Sequence, residues 1–186
     1  MSAAKILIHT CCAPCFIAPY QELKAEGREL SAWWYNPNIH PLLEYQKRRN
    51  TLREFCNTEQ IKLIEHDEYG LKSFLENTLD RIDTRCEYCY RVRLEALVKD
   101  AVQYGYDAIS TTLLYSRYQK HEMIISIAAE LCKGTTVEFF YRDWRPLWQE
   151  GIALSKAAGM YRQQYCGCIF SEEDRYHEQI PGNRAK

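Results

Sequence analysis

Short apolar segments of strand length alternate along this chain with longer segments whose apolar residues recur at helical spacing. Five strands are predicted in this way, at about 5–10, 30–35, 62–66, 107–112 and 136–141. Strands that are separated by helices favour a parallel sheet with helices packed on both of its faces. The alternation therefore predicts an α/β fold.

The predicted helices carry start and stop signals. Pro19 is expected to open the first helix and Gly27 to end it. Thr84-x-x-Glu87 is expected to form a capping box at the start of the fourth. Further helices are predicted at about 42–58, 71–79, 121–133 and 146–158. Because no linker or repeat interrupts the chain, residues 1–186 are predicted to form one domain, with a core at about 5–145 and a cysteine-bearing extension at about 146–186.

The amino terminus leads directly into an apolar run and lacks the charged region and cleavage site of a secretory signal. No segment approaches the roughly 18 apolar residues of a membrane span. We therefore expect a cytoplasmic protein with no membrane partner, whose thiols stay reduced or bound to metal. The net charge of −1 argues against non-specific attraction to nucleic acid, although local basic clusters remain available.

Six of the nine cysteines fall into three pairs in distant parts of the chain. The pairs are Cys11-Cys12, Cys86-x-x-Cys89 and Cys166-Gly-Cys168. The first pair follows the first predicted strand, and ligands of open α/β sheets bind beyond the carboxyl ends of the strands. The second pair lies in the first turn of a predicted helix, where the helix terminus favours thiolates. Paired thiols in this arrangement indicate a redox or metal centre.

Two other functions and a packing role for some cysteines are also considered. Cys56 and Cys132 are isolated at apolar helical positions and are expected to be packing residues. Cys12-Ala-Pro-Cys15 imitates the motif of a dithiol oxidoreductase, which is the first alternative. A zinc-stabilised RNA-binding module is the second. An iron–sulfur centre tolerates the dispersed spacing best.

Longer motifs surround these cysteines. They are His9-Thr-Cys-Cys-Ala-Pro-Cys15, Trp34-Tyr-Asn-Pro-Asn-Ile-His-Pro41, Glu44-Tyr-x-x-Arg48, Cys86-x-x-Cys89-Tyr-x-x-Arg93-Leu, Ser110-Thr-Thr-Leu113, Tyr141-x-Asp143-Trp-Arg145 and Tyr161-Arg-Gln-x-Tyr-Cys-Gly-Cys168. A chain with these motifs, which run from about residue 5 to about residue 175, resembles the epoxyqueuosine reductases of the QueH type.

The resemblance implies a specific reaction and fold. The reaction removes the epoxide oxygen of epoxyqueuosine at the wobble position of tRNA, without cobalamin. The fold is a Rossmann-like variant of the adenine nucleotide alpha-hydrolase type, in which cysteines replace the phosphate-binding loop after the first strand. The implied partners are the tRNA anticodon loop and an electron donor protein.

The residues are consistent with this chemistry. Reducing an epoxide to an alkene consumes two electrons and two protons. Tyrosine and histidine side chains cannot supply the electrons, so a cofactor is needed. No Gly-x-Gly-x-x-Gly motif follows a strand to hold nicotinamide or flavin. A 4Fe-4S cluster would meet the need. The cysteines expected to hold it are Cys11, Cys12, Cys86 and Cys89.

Cys166 and Cys168 are expected to serve catalysis in one of two ways. They form a redox-active dithiol, or they hold a second, mononuclear iron that acts as a Lewis acid on the epoxide oxygen. Asp143 follows the fifth predicted strand and is expected to complete that second site. An equally open interpretation is that Asp143 caps the next helix or pairs with Arg145.

Contacts with RNA are expected from basic and aromatic side chains near the same edge, because unstacked loop bases are read by stacking and edge hydrogen bonds. The candidate phosphate contacts are Lys47, Arg48, Arg49, Arg53, Arg117 and Lys120. The candidate stacking platforms are Trp33, Trp34, Tyr35 and Tyr115. His9 and His40 are candidate proton donors.

Overall fold

The computed structural model describes residues 4–180, which form a five-stranded parallel sheet flanked by helices. The strands are β1 Lys5–His9, β2 Glu29–Trp34, β3 Leu63–Glu65, β4 Ala108–Thr111 and β5 Glu138–Phe139. The helices are α1 Ala13–Ala25, α2 Leu42–Thr58, α3 Leu71–Glu76, α4 Arg85–Tyr104, α5 His121–Cys132, α6 Trp148–Ala157 and α7 Ile169–Tyr176. Short 3-10 turns cover Ile82–Thr84, Thr112–Tyr115, Arg145–Leu147 and His177–Gln179. The predicted α/β fold is confirmed.

The strand order is β3-β2-β1-β4-β5, with all strands parallel. Successive strands are first added on one side of β1 and then on the other, so the strand order reverses at the centre of the sheet. The chain moves outward from β1 to β3, returns through α4 and continues outward on the other side of β1 from β4 to β5. His9 and Thr111 are paired at the carboxyl ends of β1 and β4. Loops that leave two such strands diverge to opposite sides, and the gap between them is where ligands bind in open α/β sheets.

The core is built around β1, whose residues Ile6, Leu7 and Ile8 have no exposed surface. Helix α1 packs against α2 and α6, while α4 packs against α5. Because helices cover both faces, a central strand of this kind reads as a continuous apolar run. Within residues 4–180, none of the helices combines the length and the apolar content needed to cross a membrane.

Helix α1 differs from the prediction. It begins at Ala13, six residues before the expected start at Pro19. Pro14 occupies the first turn, where a missing N–H costs nothing, so the helix can start directly after the cysteines. Pro19 lies inside the helix and has no N–H to donate to the carbonyl of Cys15. The earlier start places Cys15 in the first turn.

Three further details differ from the prediction. Thr84 precedes α4, but its side chain donates to the carbonyl of Arg81 and makes no capping hydrogen bond. Helix α7, directly after Cys168, was not predicted at all. The fifth strand is also shorter than expected: only Glu138 and Phe139 pair with β4, and the carbonyl of Phe140 accepts from the side chain of Ser110.

Candidate metal and substrate site

Three sulfur atoms come together where β1 passes into α1. The Sγ atoms of Cys11, Cys12 and Cys15 all lie within 4.8 Å of one another, and those of Cys11 and Cys12 are 3.9 Å apart. Cys12 is extended at the helix start, and the first turn of α1 brings Cys15 back beside it. Within residues 4–180 this is the only set of three potential metal ligands at such short separation. We call it the first sulfur group.

The first sulfur group favours negative charge on Cys11. Hydrogen bonds from the thiols of Cys12 and Cys15, together with one from the hydroxyl of Thr112, hold the pKa of the Cys11 thiol well below its usual range. The Thr112 Oγ1–Sγ distance is 3.3 Å. Burial raises the pKa of Cys12, and the hydrogen bond to Cys11 raises that of Cys15. One thiolate therefore shares two thiol protons, which a bound metal would displace.

The other four paired cysteines form a second sulfur group on the far side of the crevice. Cys86 and Cys89 lie in the first turn of α4, and Cys166 and Cys168 precede α7. Cys89 and Cys168 pack together with Phe74 in a small apolar cluster. Burial raises the pKa of Cys89 to about 12 although the charge of Arg93 acts to lower it, so this thiol stays protonated unless a metal binds it.

Arg93 lies between the two sulfur groups. Its side chain is 2% exposed, and it donates to the carbonyl of Cys89 at 2.7 Å and to the sulfur of Cys89 at 3.1 Å. Cys166 and Cys11 are close enough to raise the pKa of Arg93 electrostatically. No carboxylate within residues 4–180 forms an ion pair with it. A buried guanidinium without an anion is costly, so the surrounding sulfurs are the expected carriers of negative charge.

A second buried arginine fastens the segment that carries Cys166. Arg48 is 1% exposed, pairs with Glu44 at 2.6 Å, and donates to the carbonyls of Tyr165 and Cys166 at 3.0 and 2.9 Å. Gly167 is held from the other side, because its carbonyl accepts from the backbone N–H of His40 at 2.8 Å. The extension is thus tied to α2 and to the loop before it.

The two sulfur groups border a cavity of about 680 Å³. Cys11, Cys15 and Cys166 line it, and so do Arg48 and Arg93. Its wall also carries amide and aromatic side chains. These are Asn36, Asn38, Gln119, Gln163, Gln164, Tyr115, Tyr118, Tyr165 and Trp148. A cavity of this size, lined by cysteine sulfurs together with polar and aromatic side chains, suits an organic substrate of nucleoside size.

Amide side chains in this wall hold two of the sulfurs. Gln119 donates to the Sγ of Cys166 at 3.1 Å, and Gln163 donates to the Sγ of Cys15 at 3.2 Å. The bond from Gln119 acts to lower the pKa of Cys166, but burial outweighs it and raises the pKa of this thiol. The oxygen of Asn38, a residue with 2% exposure, has no hydrogen-bond partner within residues 4–180. That oxygen is available to a substrate donor.

Asp143 is occupied by its neighbour Arg145. It accepts the backbone N–H and the Nε–H of Arg145 on one oxygen and a guanidinium N–H on the other, at 2.7 to 3.0 Å. These bonds lower the pKa of Asp143 to about 2. Asp143 is not among the residues that line the cavity. Its assignment to a second iron stays a prediction.

Several predicted RNA contacts lie in the interior or are already paired. Trp33 and Trp34 have no exposed surface, so their prediction as stacking platforms is wrong. Arg48 is buried and is not a phosphate contact. Arg49 pairs with Asp67, and Arg53 with Glu65. Arg117 and Lys120 are exposed near the cavity and stay candidates.

The candidate proton donors are buried and neutral. Burial lowers the pKa of His9 to about 3 and that of His40 to about 4. His9 contacts Thr111 at 2.8 Å and Asn36 at 3.1 Å, which ties the ends of the central strands together. A group that is neutral throughout the physiological range is poorly suited to deliver a proton.

The sequence prediction did not assign Cys15, Arg93 or Gln119 to the site. Cys15 had a usable signal, since it stands three residues after Cys12, but the start of the helix that follows Cys12 was predicted too late in the chain. Arg93 stands four residues after Cys89, a spacing that puts both on one helix face. Nothing in the sequence around Gln119 indicates that it reaches Cys166.

The chain matches known proteins over nearly its whole described length. A sequence model described as Epoxyqueuosine reductase QueH matches residues 6–174. The chain is similar to Epoxyqueuosine reductase QueH of Dehalococcoides mccartyi, with 36% identity over 94% of this chain and 96% of that protein. It is also similar to Epoxyqueuosine reductase QueH of Thermotoga maritima, with 34% identity over 96% of this chain and 97% of that protein.

One solved structure shares the fold. It is the U34-tRNA thiolase NcsA from Methanococcus maripaludis with its [4Fe-4S] cluster, with a TM-score of 0.56 and 15% sequence identity. The match covers 98% of this chain and 69% of that chain. At this identity the likeness concerns the fold. The family match is much stronger, because it covers nearly the whole described chain and includes relatives with 34% and 36% identity. It shows that the protein belongs to the epoxyqueuosine reductase QueH family.

Proposed function

We propose that the protein reduces epoxyqueuosine to queuosine in tRNA at the cavity between its two sulfur groups. The observation that carries the proposal is Arg93, a buried guanidinium whose near neighbours are sulfurs of Cys89, Cys166 and Cys11. Such a residue fits a site that holds an anionic metal–sulfur centre. Membership of the QueH family supplies the reaction and the substrate class.

The reaction breaks both carbon–oxygen bonds of the epoxide and leaves a carbon–carbon double bond. The oxygen leaves as water, which requires two electrons and two protons. A bound 4Fe-4S cluster supplies electrons one at a time. The electrons originate from an electron-transfer protein, and the described residues must then position the epoxide and provide protons.

We propose that the first sulfur group holds the cluster. Cys11 and Cys12 belong to the ligand set expected from the sequence, and the short separations support Cys15 as a third member. The expected ligands Cys86 and Cys89 lie in the second sulfur group, and Arg93 has sulfurs of both groups among its neighbours. On this proposal Cys86 and Cys89 are released for a role beside Cys166 and Cys168.

The second sulfur group then serves the substrate. If Cys166 and Cys168 act as a dithiol, their oxidation to a disulfide releases the two electrons and two protons that the epoxide consumes, and the electron donor restores the thiols. If they instead hold a second iron together with Asp143, the carboxylate must leave Arg145. Gln119 holds the sulfur of Cys166 toward the cavity in both versions.

Metal analysis after anaerobic purification tests the proposal. We expect about four iron and four sulfide per chain with broad visible absorbance, as for a 4Fe-4S protein. Cys11→Ser and Cys15→Ser should each lower both counts, whereas Cys86→Ser should retain them. Cys56→Ala is the matched control, because Cys56 is a buried core cysteine outside both groups. Retention of full iron in Cys15→Ser together with its loss in Cys86→Ser would restore the ligand set expected from the sequence.

The same measurement separates the alternative functions. A colourless protein containing zinc would support a structural metal site in an RNA-binding module. A metal-free protein with thiol–disulfide exchange activity would support the oxidoreductase. The burial of Cys12 and Cys15, which are 1% and 5% exposed, argues against exchange with a protein disulfide.

A further inference from the structure

The loop between Thr112–Tyr115 and α5 presents one side chain to solvent and the next to the sulfur site. Tyr118 is 84% exposed, the largest exposure among the large apolar and aromatic side chains within residues 4–180. Gln119, its neighbour, donates to the sulfur of Cys166 at 3.1 Å. A molecule that rests on Tyr118 is therefore one residue away from a direct contact with Cys166.

Tyr118 is held by aromatic neighbours at the mouth of the cavity. Its ring meets Trp148 edge to face at a centroid distance of 5.9 Å, and Trp148 stacks on Tyr115 at 5.3 Å. The hydroxyl of Tyr115 donates to the carbonyl of Trp148 at 3.0 Å. Gly151 permits this packing, because a Cβ there would lie 2.2 Å from the Tyr115 hydroxyl. Trp148 thus has a fixed support, and Tyr118 stands against it with its faces open.

The loop is also fixed in its path. The backbone N–H of Tyr118 donates to the hydroxyl of Ser116 at 3.2 Å. Tyr90 accepts from the N–H of Lys120 at 3.1 Å and donates to Gln119 at 2.8 Å. The hydroxyl of Tyr118 makes no hydrogen bond within residues 4–180, so the ring is available for contacts with its faces. A rigid, exposed ring loses little freedom on binding a flat partner.

The charges around this rim favour an anionic partner. The guanidinium of Arg117 lies over the Trp148 ring at 5.9 Å, and Arg162 and Arg175 line the cavity. Of the described residues that line the cavity, Asp174 alone is acidic, and it is paired with Arg85 at 2.7 Å. Aromatic rings flanked by arginines are typical of surfaces that bind single-stranded nucleic acid, where bases stack and phosphates pair with cations.

We infer that Tyr118, supported by Trp148 and Arg117, is a stacking platform for the base next to the modified nucleotide of the anticodon loop. This inference rests on the proposed function and names the part of the surface that holds the RNA. The modified nucleotide enters the cavity toward Cys166, and the adjoining base stays outside on the tyrosine ring. The platform fixes how far the modified base reaches inward.

Binding of an anticodon stem–loop that carries the epoxide nucleotide tests the platform. Tyr118→Ala in the metal-loaded protein should weaken the Kd by about tenfold or more, as expected from the loss of one stacked base. Tyr118→Phe should bind like the wild type, because the ring is kept. Tyr104→Ala is the matched control, since Tyr104 is 49% exposed and lies at the far end of α4. Iron per chain should be the same in all four proteins.

An abasic substitution identifies the base. Replacing each flanking nucleotide in turn by an abasic one should weaken wild-type binding at one position, and the same change should cost Tyr118→Ala little further affinity. Fully additive effects at both positions, or a Tyr118→Ala protein that binds as tightly as the wild type, would overturn the inference.

Turnover with dithionite keeps this result separate from the proposed function. Tyr118→Ala should raise the KM for the stem–loop when no donor protein is present. A change seen only with the electron donor protein would assign the surface to that donor and overturn the inference. A wild-type protein that binds the stem–loop through Tyr118 but never reduces it would contradict the proposed function and leave the platform in place.

Discussion

The two sulfur groups are built by different means. The first sulfur group lies within five consecutive residues, and the turn from β1 into α1 is enough to bring its three sulfurs together. The second sulfur group joins the start of α4 to a segment almost eighty residues later, and Arg48 and His40 hold that segment in place. A site made by one turn survives small movements of the fold, whereas a site made by two distant segments depends on every contact between them.

The largest difference is expected when both cysteines of the extension are removed. Cys166→Ala combined with Cys168→Ala should leave intact the visible spectrum of the cluster proposed at the first sulfur group and abolish reduction of epoxyqueuosine in tRNA supplied with dithionite. The physical reason is that Cys166 borders the cavity from a separate segment, with Cys168 packed behind it beside Cys89. The measurements are absorbance, iron per chain and product formation.

Loss of the spectrum in this double variant would place the two cysteines in the cluster itself. Asp143→Ala then separates the two versions of the role. If a second iron is held there, removal of one ligand should lower iron by about one per chain. If Cys166 and Cys168 act as a dithiol, iron should not change.

Arg93 connects the two groups, and its removal should affect both. In Arg93→Met the buried positive charge is lost, so we expect fewer iron atoms per chain and a more negative reduction potential for the centre that remains. Arg93→Lys should recover part of the potential, because it keeps the charge without the forked hydrogen bonds. Iron analysis and a redox titration measure these effects.

Arg91→Met is the control for Arg93. Arg91 lies on the same helix, is partly exposed, and pairs with Glu130 at 3.0 Å. Its replacement should leave iron and potential unchanged. An Arg93→Met protein that matches this control in both measurements would contradict the role of Arg93 as a counter-charge.

A substitution at Gly167 tests how closely the second sulfur group depends on the backbone conformation between Cys166 and Cys168. Its φ of +144° is strained for any other residue, and a Cβ would lie 3.2 Å from Ile39 and 3.3 Å from Arg48. Gly167→Ala should cost about 1–3 kcal/mol of stability and lower turnover, because it displaces both flanking cysteines. Gly159→Ala is the control, since Gly159 also has a positive φ, of +62°, but open space around it. It should lower the free energy of unfolding without affecting turnover in the protein that stays folded.

The smallest expected effect is a pH dependence that comes from His40. Its Nδ1 accepts the N–H of Ile169 at 3.3 Å, and burial lowers its pKa to about 4. The unfolded chain takes up this proton near its ordinary pKa of about 6.5, so the folded state loses stability as the pH falls from about 6.5 to about 4. The contribution of one such group is at most about 1.4 kcal/mol per pH unit.

Urea unfolding of the metal-free protein at several pH values measures this slope, and His40→Asn should flatten it. A slope that is unchanged in His40→Asn would assign the pH dependence to other groups. Activity should begin to fall with pH before the first sulfur group is disturbed, because His40 contacts the segment of the second group through Gly167 and Ile169, and its ring packs on Tyr69 and Phe74.

The sequence indicated the cysteine pairs but misplaced one helix start, and the consequence is visible at Cys15. Pro19 looked like the opening of α1, whereas Pro14 serves that role and Pro19 is accommodated within the helix. The error hid the fact that Cys15 lies in the first turn beside Cys12. Trp33 and Trp34 were misjudged for a related reason, since a central strand covered on both faces gives no alternation to show which rings are exposed.

The sequence by itself determined the α/β class, the place of Cys11 and Cys12 at the carboxyl edge of the sheet, and the family, because these follow from local periodicity and contiguous motifs. Only the tertiary structure decided which cysteines lie together, that Arg93 has sulfurs in place of a carboxylate as neighbours, and that Gln119 reaches Cys166 beside an exposed Tyr118. Those relations join residues up to about 150 positions apart, as between Cys15 and Gln163, whose separation is 148. Local propensity carries no information about such pairs, since the packing of α1, α4 and the extension around one sheet edge brings them into contact.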